Sequence, residues 1–295
     1  SFSYLLDKKL NQEEFEKIAP KFDAVLVRFN TRIDASILNP QSSIKAVISP
    51  TTGLDHINLE LAKKNGVKVF HLRGQKEFLR GISATAELTI GLMLSILRKI
   101  PQSFSDVKNG VWESGPYTGN EVYGKTIGII GCGRLGSKVA IVAASLGMKV
   151  ISYDPFITHF PKGVTRKNNI SDLFNQSDII SLHIPLSKET KYFISDKEIN
   201  QMKDGVVIIN TSRGLIIDTS SLLLGLKTGK VLSAALDVIE GEHLKQGIQH
   251  PLVNYARNNN NLLITPHIGG TTFESVEKTD LFILKRYYKD IISNE

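Results

Sequence analysis

Apolar residues in this chain come in short runs separated by stretches of helical spacing, and the two kinds alternate. Lys125–Ile130, Lys149–Tyr153, Ile179–His183, Val206–Asn210, Ser233–Leu236 and Leu262–Thr265 read as strands. Gly133–Leu146, Ile170–Phe174, Asp196–Gln201 and Ser220–Lys227 lie between them and read as helices. Repetition of strand, helix, strand predicts a parallel, doubly wound α/β sheet. A second, smaller alternation comes first, with strands at Ala24–Arg28, Ala46–Ser49 and Lys68–Phe70 and helices at Gln12–Ala19 and Asn58–Asn65. The stretch from Val107 to Tyr123 reads as a connection between two domains. Thr272–Ile292 has helical spacing and need not belong to the domain just before it. The longest apolar stretch, Ala84–Ile100, carries Glu87 and ends in Arg98 and Lys99, which predicts a buried helix rather than a membrane span.

Composition narrows the picture. A chain of 295 residues is long enough for two domains with cores of their own, and 41% hydrophobic with 22% charged residues is a globular balance. Cys132 is the only cysteine, so no internal disulfide forms, and no Cys/His cluster has zinc-ligand spacing; a cytosolic setting fits best. The net charge of +7 favours small anions as ligands. The basic residues are spread along the chain without a basic helix or interleaved aromatics, which argues against nucleic acid as a partner.

The chemistry begins at Gly131-Cys132-Gly133-Arg134-Leu135-Gly136, a GxGxxG run between a predicted strand and a predicted helix. Gly131 permits the tight turn, Gly133 lets a pyrophosphate approach the backbone, and Gly136 lets helix and strand pack closely. The helix N-terminus beyond offers N–H groups and partial positive charge to phosphate. Asp154 ends the next strand, at the distance expected of a ribose-binding carboxylate. It would accept from both ribose hydroxyls and repel a 2′-phosphate, which predicts NAD rather than NADP. Cys132 reads as a small filler in this loop.

Three further polar residues follow later strands: Arg213 after Val206–Asn210, Glu242 after Ser233–Leu236, and His267 after Leu262–Thr265. Ligands of open α/β sheets bind outside the carboxyl ends of the strands, so all three can face the cofactor. Singly, each also has a structural reading: Arg213 as a partner of Asp218, Glu242 as a solvated loop charge, His267 as a packed imidazole. Glu240 is a competing acid.

Taken together, the chain resembles the D-isomer-specific 2-hydroxyacid dehydrogenase family, of the phosphoglycerate dehydrogenase and glyoxylate-hydroxypyruvate reductase type. The matching runs are Thr51–Ile57, Ala84–Glu87, Gly131–Gly136, Leu182–Leu186, Asn210–Gly214, Asp237–Glu242 and Pro266–Gly270. The resemblance implies NAD-dependent interconversion of a 2-oxo acid and a D-2-hydroxy acid. It makes His267 the general acid/base, Glu242 the partner of its other ring nitrogen, and Arg213 the holder of the substrate carboxylate. Glu242 is preferred to Glu240 because the family places its acid five residues after the strand-end Asp. The physics agrees: imidazole titrates near neutrality, and a guanidinium matches a carboxylate in bidentate geometry. By the same resemblance, backbone N–H groups at Thr52 and Gly53 contact the carboxylate. Asp237 lies by the nicotinamide carboxamide, Thr211 on the nicotinamide side, and His183 and Pro185 at the adenosine end. His56, His71, His159, His243 and His250 are expected to be structural.

The implied architecture is a Rossmann-type NAD-binding domain, residues 100–266, inserted into a smaller flavodoxin-like substrate domain, residues 1–99 and 267–295. Substrate would lie in the cleft between them, and a homodimer would form through the cofactor domain. Two departures from the family stand out. The N-terminal part reads as short of the family's first strand and helix, which implies either a truncated N-terminus or a reduced substrate domain, and the end at Glu295 leads us to expect no C-terminal regulatory domain of the kind found on some relatives. The stretch His71–Ser83 is longer than usual and carries Arg73, Lys76 and Arg80, which suggests either selection of an anionic, even phosphorylated, acid or a solvated surface loop. An alternative of another class is an NAD-sensing interaction protein of corepressor type, which can keep the same three polar residues without significant turnover.

Overall fold

The computed structural model describes residues 10–242 and 249–293. The chain falls into two compact units, 1–82 with 273–295, and 83–272.

In the first unit, α1 (Gln12–Ile18) leads to β1 (Ala24–Leu26) and β2 (Ala46–Ser49), then α2 (Leu59–Lys64), β3 (Lys68–His71) and α3 (Lys76–Arg80). The strands pair in parallel in the order β1-β2-β3. Alternate residues serve opposite faces, as the strand repeat requires. Val25, Val47 and Val69 join Ile33, Ile37, Leu54 and Ile57 on one side. Ala24, Ile48 and Phe70 pack on the other with Leu72, Leu79 and Ile283. Ile283 comes from the last helix of the chain. Asn11 starts α1 with a capping box, its side chain accepting from Glu14 N–H while Glu14 reaches back to Asn11 N–H.

The second unit opens with α4 (Ala84–Leu97) and α5 (Ile100–Lys108), then runs β4 (Thr126–Ile130), α6 (Arg134–Ser145), β5 (Lys149–Tyr153), β6 (Val164–Arg166), α7 (Ile170–Gln176), β7 (Ile179–Leu182), α8 (Asp196–Gln201), β8 (Val206–Asn210), α9 (Thr219–Thr228), β9 (Val231–Leu236), α10 (Pro251–Ala256) and β10 (Leu262–Ile264). The chain then returns to the first unit as α11 (Phe273–Ile292). All seven strands are parallel, in the order β10-β9-β8-β7-β4-β5-β6. The strand order reverses between β4 and β7, which is where such sheets bind ligands. Ile127, Ile129, Val150, Val207 and Ile209 face α4 and α6, and Ile130, Ile151, Ile180, Ile208 and Leu236 face the opposite layer. Burial on both faces is why these strands read as continuous apolar runs.

The division between units differs from the expected 99/100 and 266/267. Helix α4 buries Ala86, Leu92, Met93, Ile96 and Leu97 in the core it shares with β4, β8 and α6, so the chain crosses between units at 82/83. The stretch 107–123, expected to join two domains, therefore lies within the second unit, with Trp112 87% exposed. Segment Lys76–Leu97 is long and apolar enough by composition alone to cross a membrane; here it divides into α3 and the packed α4.

Candidate functional site

The glycine run follows β4 as a tight turn. Gly131 has φ +86°, and a Cβ there would lie 2.7 Å from the carbonyl oxygen of His183, just past β7. Gly131 thus lets the ends of β4 and β7 close on each other at the reversal point. A Cβ on Gly136 would lie 2.0 Å from the Gly131 carbonyl oxygen, which excludes any side chain where α6 crosses its own strand. At Gly133 the same construction meets nothing. Gly133 is also the N-cap of α6 and supplies no side chain to cap the first turn, so Arg134, Leu135 and Gly136 start the helix beside open space. A pyrophosphate fits this cradle.

Asp154 is 8% exposed; its two oxygens accept from Cys132 N–H and Phe156 N–H, each at 2.9 Å. It therefore ties the glycine turn to the end of β5 and also caps its own turn. Each oxygen keeps a second lone-pair direction for a ribose hydroxyl. Burial pushes the Cys132 thiol up, in keeping with a filler rather than a nucleophile. His183 is half-buried, its Nε2 lies 2.8 Å from Ser181 Oγ, and burial lowers its imidazole to about 4, so the ring is neutral near pH 7. Pro185 is exposed two residues on, and Pro185 O accepts from Thr190 Oγ1 at 2.7 Å.

The second cluster lies at the carboxyl ends of β8, β9 and β10, which are neighbours in the sheet. His267 Nδ1 is 2.6 Å from Glu242 Oε1, with both side chains largely buried. Glu240, the competing acid, is engaged elsewhere, accepting from Tyr192 Oη at 2.5 Å and Thr219 Oγ1 at 3.1 Å. His267 has φ +55°, unusual for a residue with a side chain. The turn is imposed from beneath by Asp237. Its carboxylate, 1% exposed, accepts from Thr265 Oγ1, Ile268 N–H and Gly269 N–H, while its carbonyl accepts from His267 N–H. Burial raises the Asp237 carboxyl, and those three hydrogen bonds oppose the rise.

Arg213 Nη1 donates to Ser212 O at 2.6 Å. The Asn210 side chain bridges the loop, accepting from Ser212 and donating to Arg213 O. The next residue, Gly214, lies flush on the following loop: a Cβ there would be 2.1 Å from the carbonyl carbon of Ile239. Thr211 Oγ1 lies 2.8 Å from Thr89 Oγ1 on α4, and Thr85 Oγ1, one turn earlier, donates to Gly269 O. Helix α4 thus holds the Arg213 loop and the His267 turn together. The sequence names Thr211 and Asp237 for the cofactor side but not their supporting contacts, and it gives no role to Thr85, Thr89 or Asn210.

In the first unit, the Thr52–Gly53 loop follows β2. Thr51 Oγ1 donates to Gly53 O and pairs with Ser49 Oγ, which meets His56 Nε2. Arg73 Nε reaches Thr52 O at 3.4 Å, whereas Arg80 pairs with Glu77 on α3. The long 71–83 stretch is packed rather than merely solvated: Leu72 and Leu79 are buried, and Phe78 stacks on Phe282 at 3.9 Å. His56 is buried in this unit's interior, His71 is half-buried, and His250 caps α10. His159 is exposed. His243 lies outside the described residues. Among the described residues no group of three potential metal ligands occurs.

Residues 90–269 match the model of the D-isomer specific 2-hydroxyacid dehydrogenase NAD binding domain. The chain belongs to this family. A hydroxypyruvate reductase of Thermotoga maritima is 36% identical over 282 residues, 96% of this chain and 89% of that protein. A D-3-phosphoglycerate dehydrogenase of Archaeoglobus fulgidus is 36% identical over 268 residues; the match covers 90% of this chain but 49% of that longer protein. Among solved structures, apo D-lactate dehydrogenase from Escherichia coli superposes with a TM-score of 0.83 at 28% identity, covering 97% of this chain and 88% of that one. D-Lactate dehydrogenase from Aquifex aeolicus, complexed with NAD and lactic acid, gives 0.78 at 30%, with 94% and 86% covered. The family member described here is an NAD-dependent oxidoreductase with a Rossmann domain, and the glycine turn and Asp154 fit that cofactor.

Proposed function

We propose that this dehydrogenase interconverts a 2-oxo acid and a D-2-hydroxy acid, with His267 as the proton donor to the carbonyl oxygen and as the base in reverse. NAD supplies and accepts the hydride when bound. The observation that carries the reading is the 2.6 Å contact between His267 Nδ1 and Glu242 Oε1. With Nδ1 committed to a carboxylate, Nε2 is the nitrogen that exchanges a proton with substrate, and Glu242 fixes the ring's orientation and tautomer. Arg213 binds the substrate carboxylate through its guanidinium. Thr52 and Gly53 are proposed to supply backbone N–H groups to the substrate carboxylate. Thr211 and Asp237 stand on the nicotinamide side, Asp237 also as the organiser of the His267 turn; His183 and Pro185 border the adenosine end. The protein acts as a cytoplasmic homodimer.

Arg73, drawn to the Thr52 carbonyl, favours acids bearing a second anionic group such as a phosphate or a distal carboxylate. The test is NADH oxidation with a panel of 2-oxo acids, singly and doubly charged, for the wild type and Arg73→Gln. Turnover confined to the panel's 2-oxo acids, with a preference for doubly charged ones that Arg73→Gln erases, is the expected result. NADH binding with no turnover of any acid would overturn the assignment of the reaction; an unchanged preference in Arg73→Gln would overturn only the role of Arg73.

A further inference from the structure

Tyr192 has φ +53°, a left-handed conformation that a bulky aromatic residue keeps only when its surroundings impose it. Those surroundings are two segments of the candidate site. Tyr192 N–H donates to Leu215 O at 2.8 Å, and two residues on, Ile194 N–H donates to Ile216 O and Ile194 O accepts from Asp218 N–H. The backbone of 192–194 is thereby laid along the residues that follow Arg213. At its other end, the Tyr192 hydroxyl donates to Glu240 Oε1 at 2.5 Å, and the second oxygen of Glu240 accepts from Thr219 Oγ1, at the start of α9. The hydroxyl's bond to this carboxylate holds its own proton on, raising its pKa.

Glu240 stands two residues before Glu242, on the loop whose backbone already meets Gly214 without room for a methyl group. The Arg213 segment and the Glu242 segment are therefore fastened at two points: a backbone contact at Gly214, and a side-chain latch through Tyr192, Glu240 and Thr219. The first fixes their separation. The second holds the Glu240 side chain, two residues before Glu242, whose own Oε2 also accepts from Ile239 N–H at 3.4 Å.

We infer that Tyr192 and Glu240 form a positioning latch that holds Glu242 on His267 and keeps Arg213 in register with that pair. The inference rests on the proposed roles of those three residues. Tyr192 touches no reacting atom; it acts through Glu240.

Four variants test it: Tyr192→Phe, Glu240→Ala, Glu240→Gln and the Tyr192→Phe/Glu240→Ala double. Tyr192→Phe is expected to lower kcat about tenfold, the effect of losing one charge-assisted hydrogen bond, with KM for NADH unchanged. Glu240→Ala should match it, and the double should be no worse than Glu240→Ala, since one latch is being broken twice. Glu240→Gln keeps an acceptor for the tyrosine hydroxyl and should stay near the wild type. A second readout needs no substrate. The proton between His267 Nδ1 and Glu242 Oε1 should give a strongly downfield NMR signal in the wild type and in Glu240→Gln, and a shifted or broadened one in Tyr192→Phe and Glu240→Ala. Equal kcat and an unmoved signal in Tyr192→Phe, whatever happens to its melting temperature, would overturn the latch. Should Tyr192→Phe fail to fold, the Glu240→Ala and Glu240→Gln pair decides in the same way. A wild type that reduces no 2-oxo acid would sink the reaction assignment, while the NMR comparison would still judge the latch.

Discussion

At the scale of single residues, the site depends on polar groups whose environments assign them different tasks. His267 and Glu242 pair at 2.6 Å, and His267→Ala removes the proposed proton donor without touching the glycine turn. Its kcat should fall by about 10²–10⁴, with NADH affinity by fluorescence titration close to that of the wild type. Asp154 anchors Cys132 N–H and, in the proposed reading, also takes the ribose hydroxyls. Asp154→Ala should weaken NAD and narrow the gap to NADP, measured as the ratio of the two KM values; a ratio equal to the wild type's would mark Asp154 as a turn residue only. His183 titrates where its surroundings push it, at about 4, against an ordinary value near 6.5. Below about pH 6.5 the unfolded chain takes up a proton that the folded one refuses, so the neutral ring's contribution to stability is full above that pH and fades toward pH 4. Unfolding by urea should therefore show a decline between these limits, at most about 3 kcal/mol, that His183→Gln lacks.

At the scale of elements, packing explains both what the sequence disclosed and what it hid. Strands β4, β7 and β8 are legible because both faces are covered and the residues are mostly apolar, with β4 and β8 rich in β-branched side chains. Edge strand β6 has one partly buried apolar residue, Val164, and gives no such run. Helix α3 hides in a charged segment, Lys76-Glu77-Phe78-Leu79-Arg80, whose apolar residues show their purpose only against Phe282. Helix α4 reads as buried but is apolar nearly all round, so its sequence does not say which sheet it joins; its packing on β4, β8 and α6 puts the unit boundary at 82/83 rather than near 99. The candidates Arg213, Asp237, Glu242 and His267 are legible because they sit on the loops that follow β8, β9 and β10, whereas Thr85, Thr89 and Tyr192 act through contacts distant in sequence. The contact at Gly214 makes one such support testable. Gly214→Ala places a methyl group 2.1 Å from Ile239 and should force the two loops apart. The expected cost is about 1–3 kcal/mol in unfolding free energy, with a larger loss in kcat than in NADH affinity.

At the scale of the whole molecule, each unit has its own core and its own share of the candidate residues. The glycine turn, Asp154, Arg213, Glu242 and His267 all belong to residues 83–272, while Thr52, Gly53 and Arg73 belong to the other unit. Expressed alone, residues 83–272 should fold cooperatively and bind NADH with an affinity close to that of the full chain. They should not reduce any 2-oxo acid that the full chain reduces. Turnover by this fragment would mean that the Thr52–Gly53 loop is dispensable for catalysis.

The nesting of one unit inside the other also fixes an order of events during synthesis. Helix α11 brings Ile283 into the second core of the first unit, Asp280 to Arg28, and Arg286 to the His71 carbonyl. These partners emerge from the ribosome only after residues 83–272 have been made. The inserted unit can close its core while the enclosing one still waits for its last helix. Nascent residues 10–82 thus spend that interval with Ile48, Phe70 and Leu72 uncovered, a window in which chaperone capture or a slow ribosome would matter more for this protein than for one whose domains follow each other along the chain.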